Sequence, residues 1–154
     1  EVDVHDGIED TLTIMKHRLK HGVTIVREYD RTLPRISVFG SELNQVWTNL
    51  IDNAVDAMNG KGVLTIRTRR DGDHVSVDIL DNGPGIPEAD LDRMLEPFTR
   101  GDPSRNSVTG GAGLGLTLAR AIAQQHGGAL RIANRRDEGG AVTGLTATLS
   151  LPLT

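Results

Sequence analysis

The sequence predicts a two-layer α/β sandwich of the α+β kind, a mixed and mostly antiparallel sheet packed against helices. Three observations point to it. Strand-like runs come in pairs joined by tight turns, at Asp71-Gly72-Asp73 and at Asp137 to Gly140. Helical periodicity falls beside those pairs without strict alternation of strand and helix, which suggests a mixed sheet with helices on one face. The chain has 154 residues, 37% hydrophobic and 25% charged, values that suit one soluble domain spanning 1–154.

Each element follows in order. Ile8, Leu12, Met15 and Leu19 recur at helical spacing, so His5 to Lys20 reads as a helix stopped by Gly22. Val23 to Tyr29 is rich in β-branched residues and reads as a strand. Thr32 to Phe39 is a Pro-interrupted connection with room for a short strand. Ser41 is placed to cap a long helix that runs to about Met58, with Gly60 and Gly62 ending it. The first strand pair is Val63 to Arg70 and His74 to Leu80. Pro87 opens a short helix with Glu88 and Asp90 in its first turn. Arg100 to Gly113 has almost no apolar content and reads as a long mobile loop. A helix from Leu114 to about Gln125 and a second pair, about Ala129 to Asn134 and Ala141 to Leu151, complete the chain.

Composition narrows the function. A net charge of −4 does not fit a non-specific nucleic-acid binder. With no cysteine there is no disulfide, thiolate metal site or cysteine nucleophile. No apolar run approaches the ~20 residues of a membrane span, so no membrane contact and a cytoplasmic location are expected, which a piece of a longer membrane protein would share.

Three segments carry candidate chemistry. On the predicted helix Ser41 to Met58, the residues Leu43, Trp47, Leu50, Ala54 and Met58 form an apolar stripe. Asn49, Asn53 and Asp56, at i, i+4 and i+7, share the other side. A solvated polar face accounts for such a row. Asparagine is nevertheless a weak helix former, and its amide oxygen is a hard ligand suited to Mg²⁺. Asp81-Asn82-Gly83-Pro84-Gly85 follows a strand. A simple turn explains these residues as well as a site does. As a site, the carboxylate accepts from an exocyclic amine, and the glycines let a ligand approach the backbone. Gly110-Gly111-Ala112-Gly113-Leu114-Gly115-Leu116 enters a helix, whose free N–H groups can hold phosphate. Neither the dinucleotide G-x-G-x-x-G nor the Walker A pattern is present.

In this order and spacing the segments resemble the GHKL superfamily of gyrase B, Hsp90, MutL and histidine kinases. Asn49 to Ala54 looks like the N box, Asp81 to Gly85 the G1 box, Glu96-Pro97-Phe98 the F box and Gly111 to Leu116 the G2 box. The resemblance implies the Bergerat fold, with a flexible ATP lid at about 99–113. It implies that Asn53 coordinates Mg²⁺, that Asn49 and Asp56 lie near the nucleotide, and that Asp81 takes the adenine amine. Gly83, Gly85 and Ile86 would then shape the base pocket. Phe98 would belong to the nucleotide site, and Arg100 would lie against the phosphate tail. Gly111, Ala112, Gly113, Leu114, Gly115 and Leu116 would bring lid and helix backbone to the phosphates. Asn49, Asn53 and Arg100 would be the catalytic set, with ATP and Mg²⁺ as cofactors. Ala112 departs from a frequent Thr or Ser, and Asp56-Ala57 from a frequent Lys-Tyr.

The ATPases of this superfamily carry a glutamate at the Asn49 position, where it activates water. An amide cannot be a general base, so the resemblance favours the catalytic domain of a sensor histidine kinase over an ATPase or a degenerate nucleotide-binding or serine-kinase module. A kinase of this type phosphorylates a histidine on a separate helical dimerisation domain and serves a response regulator indirectly. Among five histidines, His5-Asp6 only superficially resembles an acceptor motif; His17 and His21 read as a solvated helix end; His74 and His126 read as surface.

Overall fold

The structure, a computed structural model, describes residues 1–94 and 112–153, with residues 92–94 and 112–115 described by their backbone only. The helices are α1 Val4–Ile14, α2 Lys16–Leu19, α3 Gly40–Ala57, α4 Glu88–Met94 and α5 Ala112–Gln125; the strands are β1 Val23–Glu28, β2 Gly62–Asp71, β3 His74–Leu80, β4 Ala129–Arg136 and β5 Val142–Pro152. One sheet has the order β1-β2-β3-β5-β4. β1 runs parallel to β2, and every other pairing is antiparallel. The mixed, mostly antiparallel sheet is thus as expected. So is the helical layer, in which α3 packs between α1 and α5.

The apolar stripes bury as their spacing requires. Ile8, Leu12, Met15 and Leu19 of the first helical segment join Leu43, Trp47, Leu50, Ala54 and Met58 of α3 in one core with Leu64, Ile66, Val77, Ile79 and Leu149 of the sheet. Register puts Ile66 opposite Ile79 and Val77 opposite Leu149, so the same sheet face meets the helices.

Three local expectations are corrected. The helix expected over His5 to Lys20 breaks at Met15. Thr11 and Thr13 donate their hydroxyls back to Gly7 O and Glu9 O, at 2.9 and 3.0 Å. Such back-bonding competes with the helical ladder and bends it. Ser41 does not cap α3, whose N-cap is Phe39 without a side-chain cap bond. Instead the Phe39 N–H donates to Nε2 of His126 at 3.2 Å. The short strand allowed in Thr32 to Phe39 is reduced to one antiparallel bridge between Val2 and Ile36. α3 ends where Asn59 and Gly60 adopt φ 55° and 78°. The expected lid at about 99–113 lies outside the described residues, except that Ala112 and Gly113 already belong to α5.

Candidate functional site

Asn49, Asn53 and Ala57 lie four residues apart and form one row along α3. The row leads to the loop that leaves β3, because Gly83 packs so closely on the helix end that a Cβ there would lie 2.8 Å from Ala57 O. The Nδ2 atoms of Asn49 and Asn53 are buried and have no hydrogen-bond partner among the described residues. A buried donor left unpaired costs ~1–3 kcal/mol, so two of them one turn apart make a candidate site for acceptor oxygens.

Asp56 is placed differently. It is exposed, and its carboxylate accepts from Arg18 of α2 at 2.5 Å, while Arg18 also pairs with Asp52. The structure therefore gives Asp56 a partner on α2.

Asp81 closes β3 and is only 2% exposed. Its Oδ1 accepts the Gly83 N–H at 2.9 Å and the Leu145 N–H at 3.2 Å. Both of these bonds fall on Oδ1, which leaves Oδ2 as a further acceptor. Burial pushes the Asp81 carboxyl above the usual carboxylate range, against the pull of the two N–H donors and of Arg135. Beyond it, Gly85 adopts φ 75°, and a Cβ there would meet Val142 Cγ1 at 2.5 Å and Asn134 Oδ1 at 2.6 Å. Ile86 is half-buried against the core.

The segment Ala112, Gly113, Leu114 and Gly115 is the first turn of α5, and α5 packs on α3. Its first N–H groups have no helical acceptor, and the helix dipole favours an anion there. Leu116 is 3% exposed and belongs to the core, so its side chain anchors this turn. Phe98, Arg100 and Gly111 lie outside the described residues. The arrangement thus combines unpaired donors on α3, a buried acceptor at Asp81 and a helix N-terminus on α5. That is the inventory needed for a molecule with a base amine at one end and anionic oxygens at the other.

Sequence reasoning missed two residues on β4. Arg135 Nη1 donates to Asp81 O at 2.8 Å, and the Asn134 amide bonds both main-chain groups of Ile86. An Asn-Arg-Arg run at the end of a strand carries no signal of either role.

The histidines resolve clearly. His5 is buried; its Nε2 lies 2.8 Å from Thr68 Oγ1. Thr68 Oγ1 also accepts the Asp30 N–H at 2.8 Å, which ties His5 and the chain just past β1 to the same hydroxyl. Burial holds the His5 ring below its ordinary pKa. His126, expected at the surface, has a side chain only 7% exposed, with Nδ1 donating to Ile122 O at 2.8 Å. Its position at the end of α5 opposite Phe39 explains the difference. His17 and His21 are exposed, and no cluster of metal-ligating side chains occurs among the described residues.

Residues 40–154 match the family model described as histidine kinase-, DNA gyrase B-, and HSP90-like ATPase. Sensor protein ChvG of Agrobacterium fabrum (strain C58 / ATCC 33970) is 41% identical over 111 residues, 71% of this chain and 19% of that protein. The mycobacterial sensor histidine kinase MprB has a similar structure, with a TM-score of 0.79 and 27% identity over 98% of this chain and 95% of that one. The catalytic domain of histidine kinase ThkA, in a nucleotide-free form, shares the fold with a TM-score of 0.82 at 24% identity, over 99% of this chain and 95% of that one. This chain spans about a fifth of the length of ChvG. The family match, covering most of the chain and all three site segments, shows that it belongs to the histidine kinase-, DNA gyrase B- and HSP90-like ATPase family.

Proposed function

We propose that this chain is the ATP-binding catalytic domain of a two-component sensor histidine kinase, with residues 1–154 working as one cytoplasmic unit. It binds Mg-ATP and passes the γ-phosphoryl group to a histidine on a separate helical dimerisation domain, which in turn serves a response regulator. The observation that carries this reading is the row of Asn49 and Asn53, whose amide nitrogens are buried and without a partner among the described residues, on the helix whose end at Ala57 meets the Asp81 loop.

Roles follow from the donor set. Asp81 accepts the adenine amine at Oδ2, while Gly83, Gly85 and Ile86 form the pocket wall. Asn53 faces the metal through its amide oxygen, and Asn49 donates to the phosphate tail. Their observed burial without partners fits this use, since an amide offers oxygen and nitrogen from one group. Magnesium, when bound, neutralises charge on the terminal phosphates. The first turn of α5, from Ala112 through Leu116, presents main-chain N–H groups to the same oxygens. Phe98, Arg100 and Gly111 are assigned to the tail and lid by their motifs. Asp56, held by Arg18, borders the site.

Two features favour a kinase over a steady ATPase. Asn49 cannot take a proton from water. His5, whose His-Asp pair superficially resembles an acceptor motif, is buried against Thr68, which supports an acceptor supplied from outside this chain. Incubation with γ-labelled ATP tests the proposal. The chain alone should carry no acid-labile label, and label should appear on an added helical histidine domain of its own kinase. Stable label on the chain alone, or brisk hydrolysis without transfer, contradicts it.

A further inference from the structure

Beyond Asp81, which still bonds Leu145 of β5, the loop to Pro87 joins no strand pairing among the described residues, yet its far end is held as if it did. Asn134 Oδ1 accepts the Ile86 N–H at 2.8 Å, and Asn134 Nδ2 donates to Ile86 O at 2.6 Å. One side-chain amide thus makes the two bonds that a partner residue makes in a hydrogen-bonded antiparallel pair. The orientation of that amide is itself fixed. Its Nδ2 also donates to Glu88 Oε1 at 3.2 Å, and Glu88 is paired with Arg136. A carboxylate only accepts, so it selects the nitrogen end of the amide. The near end of the loop is held independently, by Gly83 and Leu145 on Asp81 Oδ1 and by Arg135 on Asp81 O.

On the nucleotide reading given above, we propose that Asn134 is a positioning residue of the base pocket: it fixes the Gly85-Ile86 wall at the distance from Asp81 that admits a purine and orients its amine. Asn134 touches no substrate in this role. It acts through the main chain of Ile86, and Asp81 keeps its own bonds when Asn134 is lost. Removal therefore loosens the wall without unfolding the sheet. The lost order lowers affinity, and a slack wall discriminates poorly between purines that differ in the group facing Asp81.

Asn134→Ala and Asn134→Asp, with Arg131→Ala on the exposed face of the same strand as a control, test this. Asp keeps the acceptor for Ile86 N–H but loses the donor. Three readouts are taken on the folded chain: thermal melting, amide hydrogen exchange at Ile86 without nucleotide, and calorimetric Kd for ATP and for GTP with Mg²⁺. For Asn134→Ala the Ile86 amide should exchange at least about tenfold faster. The ATP Kd should rise about tenfold, and the ATP-over-GTP preference should shrink, with the fold retained at the assay temperature. Asn134→Asp should fall between it and the unsubstituted chain, and Arg131→Ala should match the latter. Unchanged exchange at Ile86 overturns the proposal, as does faster exchange with unchanged Kd and preference, or a Kd that rises only as folded protein is lost. If the unsubstituted chain itself binds no ATP, the nucleotide reading falls and this role falls with it; if it binds and Asn134→Ala binds equally well, only this role falls.

Discussion

Asp81 and Leu145 hold each other at two points: the Asp81 N–H donates to Leu145 O at 3.0 Å, and the Leu145 N–H donates to Asp81 Oδ1 at 3.2 Å. The first bond extends the sheet by one residue beyond β3. The second consumes one oxygen of a buried carboxylate and leaves the other for a ligand. On the proposed nucleotide reading a single side chain is thereby both a structural acceptor and a recognition group, and the two uses separate by oxygen atom.

Substitution Asp81→Asn should separate them experimentally. Asparagine keeps an oxygen for the Gly83 and Leu145 N–H groups but presents a donor where the adenine amine needs an acceptor. ATP affinity should fall at least about tenfold. Stability should move the other way. The folded pKa of Asp81 is raised above 3.8 by burial, so the folded chain binds the proton more tightly than the unfolded one. That contribution is complete below the unfolded pKa and is lost as pH rises through the folded pKa. Melting curves from acid to neutral pH should show Asp81→Asn gaining on the unsubstituted chain as pH rises.

Gly144 precedes Leu145, and a Cβ there would overlap the carbonyl oxygen of Asp81. The obstacle is backbone, which cannot rotate away. Gly144→Ala should cost about 2–3 kcal/mol, and a melting curve should show a fall of roughly 5–10 °C. An unchanged melting temperature would mean that the β3 and β5 ends are not in this register.

His5 supplies a second pH dependence. Its pKa is lowered from 6.5, chiefly by burial, with Arg31 acting in the same sense and Asp3 and Asp30 opposing. The unfolded chain therefore binds the proton more readily, and stability present above about 6.5 is lost as pH falls toward the folded pKa. Chemical denaturation between neutral and mildly acid pH should show that loss, and His5→Gln should flatten it.

Trp47 is fully buried, with its Nε1 unpaired among the described residues. Trp47→Ala should cost about 3–5 kcal/mol through lost packing. Trp47→Phe should cost clearly less, because it also removes an unsatisfied donor. Urea unfolding of the two variants measures the difference.

Much of this was legible in the sequence because its causes are local. Turn chemistry at Asp71 to Asp73 and Asp137 to Gly140 marks both hairpins, and apolar spacing marks the buried faces of α1 and α3. The Asn49 and Asn53 row and the Asp81 loop were legible as motifs. What escaped depends on distant partners. Phe39 rather than Ser41 is the N-cap of α3, and its N–H is held by His126, 87 residues later. Asp56 faces Arg18 of α2, 38 residues earlier in the chain. Asn134 meets Ile86 only because β4 and β5 bring it there, 48 residues along the chain.

The most direct measurement is calorimetric titration with ATP, with and without Mg²⁺, of the unsubstituted chain and Asn53→Ala. The unsubstituted chain should bind ATP, and bind it more tightly with Mg²⁺; Asn53→Ala should lose the Mg²⁺-dependent part while remaining folded. No ATP binding by the unsubstituted chain, or an equal Mg²⁺ effect in Asn53→Ala, would contradict the site built on Asn53 and Asp81.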